Sequence, residues 1–144
     1  MTPAPHRREQ YRHFHAITTR WMDNDAYAHV NNVVYYSWFD TVVNEYLIRS
    51  GVLDIQASQI IGLVVETHCN YFAPLAFPQA VVAALRVAHL GTSSVRYEVG
   101  LFAEDSDLAS AQGHFVHVYV DRVSRRAAPI GAALRAVLDQ IRVS

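Results

Sequence analysis

The sequence predicts an α+β fold in which an antiparallel β-sheet wraps around one long central α-helix. Three observations predict it. Residues 32–50 carry apolar side chains at helical spacing over far more than one stripe. The segments that follow are rich in Val, Tyr, Phe and Leu and are separated by turn signals. A helix so apolar needs a sheet that curls about it, because a flat sheet would cover only one flank.

Taken in order, residues 13–22 (HFHAITTRWM) alternate with β-branched and aromatic members and read as a strand that ends at Asp23. The helix then runs over 32–50, with Val34, Trp38 and Val42 beside Tyr35, Phe39, Val43, Tyr46 and Leu47, and meets a natural stop at Gly51. Its composition implies burial on most sides. Strands are expected over 60–73, 79–90, 94–104 and 109–123. Pro74 with Pro78, the GTSS of 91–94 and the EDSD of 104–107 separate them, and three tight connections in a row imply antiparallel neighbours. A terminal helix is expected over 129–142, with Pro129 near a permitted first-turn position and Ile130, Leu134, Val137, Leu138 and Ile141 on one face.

The 144 residues suit one domain, 1–144, with no repeat or linker to divide them. With 51% hydrophobic and 17% charged residues and a mean hydropathy of +0.06, some apolar surface is expected between subunits, so a homo-oligomer is expected. A net charge of −1 gives no field to attract nucleic acid or an anionic membrane. No signal-length or membrane-length apolar run is visible, and the single cysteine, Cys69, fits a reducing compartment; a cytoplasmic location is expected.

Chemistry concentrates in RWMDNDAYAHVNN, residues 20–32, where two acids, a histidine and three asparagines precede the helix. Asp23 and Asp25 beside Asn24 also suit a plain hydrogen-bonded turn, and Asn31 is most simply a helix N-cap. A metal cluster of Asp23, Asp25 and His29 is not expected. Only one histidine is local, His68 and His89 lie on separate strands, and His114 and His117, three apart, fall on opposite faces of theirs.

The string RWMDNDAYAHVNNVVYYSWFD, followed by YFAPLAFPQ and LGTSSVRYEV, resembles the 4-hydroxybenzoyl-CoA thioesterase branch of the hotdog-fold acyl-CoA thioesterases. The likeness runs over residues 13–123 and is sharpest at Asp23-x-Asp25-x-x-x-His29-Val30-Asn31-Asn32. It implies a dimer joined edge to edge, with active sites at the interface, or a dimer of such dimers. It further implies a catalytic carboxylate at Asp25, oxyanion-binding backbone N–H groups at Val30, Asn31 and Asn32, and coenzyme A lying near the strand turns. Many relatives carry Gly where this chain has Ala28, and often where it has Pro78; if the backbone at 28 takes a positive φ, alanine strains it.

The residues themselves fit that chemistry. A thioester carbonyl under attack gathers charge on its oxygen, and the first N–H groups of a helix are unpaired and lie at the positive end of its dipole. A thiol leaves as thiolate without a strong acid, so one carboxylate can serve, as base toward water or as direct nucleophile. No G-x-S-x-G nucleophile elbow occurs, and neither metal nor cofactor is required. Asp23 and His29 would support the loop. Tyr35 would line the acyl pocket, although Tyr35, Tyr36, Trp38 and Phe39 also suit a core. Gly91, Thr92, Ser93, Ser94 and Arg96 would meet the coenzyme A tail, as would Arg122, Arg125 and Arg126. The same residues suit a hairpin turn and solvated cations. Two other readings stay open: a hotdog hydratase or dehydratase using an Asp and His pair, and a non-catalytic acyl-thioester-binding protein.

Overall fold

The computed structural model describes residues 3–143. A strand β1 (His13–Ile17) leads through a 3-10 turn (Trp21–Asp23) to helix α1 (Asn32–Arg49). Strands β2 (Ile60–Tyr71), β3 (Val81–Leu90), β4 (Ser94–Ala103) and β5 (Ala111–Asp121) follow, then a short helix α2 (Ala132–Asp139). The strands form one antiparallel sheet in the order β1-β3-β4-β5-β2. With α1 packed in its concave face, this is the hotdog architecture.

Both ends of α1 are set by local chemistry. The Asn31 side chain accepts the Val33 N–H at 3.0 Å and caps the start. At the far end Gly51 takes φ +77°, the Gly51 N–H reaches the Ile48 carbonyl and the Val52 N–H reaches that of Leu47. These paired bonds form a Schellman stop, which a left-handed glycine makes easy. Phe39, Val42 and Val43 are wholly buried against Leu85, Val87, Val95, Tyr97 and Val99 of the sheet.

Four expectations need correction. The first strand stops at Ile17 rather than near Met22, and Trp21 and Met22 stand out in solvent on the 3-10 turn. Alternating apolar residues therefore marked an exposed turn, not a sheet edge. Helix α1 buries one broad face, while Val33, Ser37, Asp40 and Thr41 stay exposed in the single chain. The segment holding Pro74 and Pro78 is not a hairpin, because β2 pairs with β5 and the chain crosses to β3. Finally, α2 begins only at Ala132, with Gly131 extended as its N-cap. Ile130, whose N–H bonds the Thr92 carbonyl, is held outside the helix.

The crossover decides where the open edge lies. Strand β1 covers one end of β3, and past it the C-terminal residues take over, with the Val87 N–H bonded to the Ile141 carbonyl. On the other side β2 pairs only with β5 and leaves Leu63, Val64 and Val65 exposed. No helix among the described residues is long and apolar enough to cross a membrane.

Candidate active site

The loop between β1 and α1 is held by its own backbone and by the crossover. The Val30 N–H donates to the Leu75 carbonyl at 2.7 Å, the Asn24 side chain accepts the Phe77 N–H at 3.0 Å, and the Thr19 hydroxyl donates to the Gln79 carbonyl at 2.7 Å. Ala28 takes φ +64° to turn the chain. That conformation is the one in which alanine is strained.

Asp23 has no exposed surface. Its carboxylate accepts the Arg20 backbone N–H and both Nε and Nη2 of the Arg20 guanidinium, at 2.8 to 3.1 Å. Its carbonyl accepts the Asn31 N–H at 2.9 Å. Asp23 therefore shapes the loop from behind and does not reach the cleft.

Asp25 is half-buried. Its Oδ1 accepts the Tyr27 N–H at 2.8 Å, and its own N–H donates to the His29 carbonyl at 2.8 Å, so the carboxylate is oriented while Oδ2 has no hydrogen-bond partner among the described residues. A cleft of about 490 Å³ opens here, lined by Asp25, His29, Asn32 and Tyr35 and walled by Tyr71 and Pro74. Residues 71–74, at the end of β2, were not singled out as site residues from the sequence. The only signal for them is the YFAP run itself, whose place beside the loop follows from the crossover.

Helix geometry narrows the oxyanion donors. The N–H groups of Val30 and Asn31 are engaged by Leu75 and Asp23, and that of Val33 by its cap. The Asn32 N–H has no acceptor among the described residues, and Asn32 lines the cleft. Of the three expected donors, one is free. It lies at the positive end of the α1 dipole.

Tyr35 joins core and cleft. It is buried, packs edge-on against Tyr71 at 5.0 Å and Trp38 at 5.6 Å, and burial raises its phenol above the ordinary range. Cys69 beside it is pushed up to about 11 by burial, so it is no thiolate at neutral pH. His29 is exposed, and no hydrogen bond joins its ring to Asp25 among the described residues.

The expected coenzyme A contacts are not near Asp25 in the same chain. Gly91, Thr92, Ser93 and Ser94 form the β3–β4 hairpin at the far end of β3, roughly 30 Å of strand from the cleft at about 3.3 Å per residue. The hairpin is tied down there: the Thr92 carbonyl accepts the Ile130 N–H, the Ser93 carbonyl the Tyr119 N–H, and the Gly91 carbonyl the Arg135 guanidinium. Arg96 lies on the outer face of β4, paired with Glu98 at 3.2 Å. Arg122 bonds the carbonyls of Ser58 and Ile55. A single chain thus separates the predicted tail contacts from the predicted carboxylate.

Residues 19–138 match the family model of the thioesterase-like superfamily. Among solved structures, the chain is similar to the PA5185 protein from Pseudomonas aeruginosa strain PAO1, with 56% identity, a TM-score of 0.95 and 99% of each chain covered. It also resembles in fold Slr0204, a 1,4-dihydroxy-2-naphthoyl-CoA thioesterase from Synechocystis (14% identity, TM-score 0.79, covering 88% of this chain and 94% of that one). The BH1999 gentisyl-coenzyme A thioesterase is alike in fold at 23% identity and a TM-score of 0.77, covering 88% and 99%. No curated protein sequence gives a significant match.

Proposed function

The chain belongs to the thioesterase-like superfamily and is a thioester hydrolase, and from that premise we propose that it hydrolyses acyl-CoA thioesters with Asp25 as its catalytic group. The observation that carries this reading is the shared cleft. Asp25, whose carboxylate is oriented with one oxygen free, and Asn32, whose N–H at the start of α1 is unengaged, both line it.

Each part has a definite task. A thioester carbonyl placed in the cleft would direct its oxygen to the Asn32 N–H, where the fixed dipole stabilises the charge that develops on attack. Asp25 Oδ2 would take a proton from water as the new C–O bond forms. Collapse then breaks the C–S bond, the thiolate leaves and is protonated, and the products are free acid and thiol. Direct attack by the same oxygen would give a mixed anhydride that water then cleaves. In either route a thiol needs no strong acid to leave.

One donor and one carboxylate make half a site. The exposed edge of β2 supports a dimer in which two such edges pair antiparallel, as an unprotected edge with apolar side chains favours. Such pairing would bring a partner's surface over the open mouth of the cleft. It would also let the tail contacts at 91–96 of one chain serve a neighbouring chain's Asp25. A His29 and Asp25 pair of the hydratase kind gains no support from the geometry. Thiol release from short, long and aromatic acyl-CoA thioesters tests the proposal; release from none of them would contradict it.

A further inference from the structure

Two phenols border the Asp25 cleft, those of Tyr35 and Tyr71. Their hydroxyls are not in the same state. Tyr71 is hydrogen-bonded to the side chain of Cys69, two residues back on β2. The oxygen of Tyr35 meets the backbone N–H of Leu75, a bond that occupies an acceptor lone pair and leaves the hydroxyl proton to be given elsewhere. Among the described residues no protein acceptor takes that proton.

The helix explains where the group sits. Tyr35 lies three residues after Asn32, and side chains on a helix lean back toward its start over the face that i and i+3 share. The phenol therefore leans toward the turn that carries the unengaged Asn32 N–H. Edge-on contacts with Tyr71 at 5.0 Å and Trp38 at 5.6 Å hold the ring, which is only 4% exposed. A donor fixed in this way does not have to reorganise when charge develops beside it.

Its acidity suits the same task. Burial raises the phenol above its ordinary range, and Asp25 stands near enough for its charge to add to the effect. Tyr35 thus keeps its proton at neutral pH and serves as a donor, while Asp25 is the neighbouring group able to accept a proton.

We infer that the Tyr35 hydroxyl is a catalytic residue, the second hydrogen-bond donor to the thioester carbonyl oxygen beside the Asn32 N–H. The inference rests on the thioesterase reading and adds to it a donor that the loop backbone does not supply, since the N–H groups of Val30 and Asn31 are engaged. As the nucleophile's oxygen bonds to the carbonyl carbon, the π pair moves onto the carbonyl oxygen and the bond from Tyr35 strengthens. No proton leaves the phenol. On collapse that pair re-forms the C=O bond, and the C–S pair departs on sulfur as thiolate.

The test follows thiol release from hexanoyl-CoA, palmitoyl-CoA and benzoyl-CoA by wild type, Tyr35→Phe and Asp25→Asn, with kcat, KM and the pH profile of kcat taken on the fastest substrate. Tyr35→Phe keeps the ring and removes only the hydroxyl. Its kcat is expected to fall about a hundredfold, the scale of one lost oxyanion donor, with KM within about twofold of wild type and the acid limb of the profile unmoved. An unchanged kcat, or a loss carried by KM alone, would overturn the inference. A displaced acid limb would also overturn it, because the hydroxyl would then act through Asp25 and not on the carbonyl. Should Tyr35→Phe fail to fold, 3-fluorotyrosine placed at position 35 keeps the shape and acidifies the donor; a higher kcat supports the assignment and an unchanged or lower one overturns it. Asp25-dependent release that ignores Tyr35→Phe sinks this role and leaves the thioesterase standing, whereas release from no thioester by the wild type overturns both.

Discussion

The carbonyl of Asp23 accepts the N–H of Asn31 at 2.9 Å, which ties the buried acid of the loop to the residue that caps the central helix. Loop and helix start therefore form one unit. Removing the carboxylate in Asp23→Ala leaves the part-buried Arg20 N–H without its acceptor and frees the Arg20 side chain. The exposed guanidinium is resolvated at little cost, so the expected loss is about 2 kcal/mol rather than that of a fully buried pair. Urea denaturation measures it. A loss below about 0.5 kcal/mol would show that the loop is held by the crossover alone.

Ala28 offers a gain. At φ +64° its Cβ meets the following carbonyl, a strain of about 1–2 kcal/mol that glycine does not suffer. Part of the relief is offset by the greater freedom of glycine in the unfolded chain. Ala28→Gly is expected to raise stability by about 0.5–1 kcal/mol, seen as a higher midpoint in the same denaturation. A fall in the midpoint would mean that the loop relaxes out of this conformation in solution.

What could be read in advance follows from where the determinants lie. The limits of α1 were legible to within a residue because Asn31 and Gly51 act locally, through a side-chain cap and a left-handed stop. The placing of Asp25 beside the helix start was legible from the motif that carries the resemblance. That Val30 and Asn31 are occupied was not, since their acceptors, the Leu75 and Asp23 carbonyls, are backbone groups that leave no mark on side-chain type. Strand order failed for a similar reason: Pro74 and Pro78 signal a break, and only packing decides whether the chain reverses or crosses over. A cavity of about 220 Å³ lined by Leu47, Leu53, Gly62 and His117 was invisible because α1, the following loop and two strands must meet to form it.

His117 also predicts how stability depends on acidity. Its folded pKa, about 4, lies below the unfolded value of 6.5. Between these values the unfolded chain binds the extra proton, so stability rises with pH there. Acidification from pH 6.5 to 4 should therefore cost about 3 kcal/mol through this group and no more below that. His6, also lowered by burial, acts in the same direction. The difference between wild type and His117→Phe in urea midpoints at pH 7, 5.5 and 4.5 isolates the His117 share. Parallel curves for the two proteins would contradict it.

The proposed dimer makes a prediction at the open edge. Val65, 60% exposed near the middle of β2, would lie close to its own copy across a two-fold axis. Val65→Lys would bring like charges together there, an arrangement that opposes edge pairing. Light scattering after gel filtration should show the wild-type dimer or dimer of dimers reduced to monomer. An unchanged mass would place the subunit interface elsewhere.

The central claim rests on one carboxylate. Thiol release is measured for wild type and Asp25→Asn side by side across a panel of acyl-CoA thioesters, with folding checked by circular dichroism. Asp25→Asn keeps the shape of the loop and removes the group that acts on water or carbonyl; a fall of at least about a hundredfold in kcat is expected for a well-folded variant. Near-wild-type release by Asp25→Asn would contradict the mechanism and move the catalytic role to another group in the cleft.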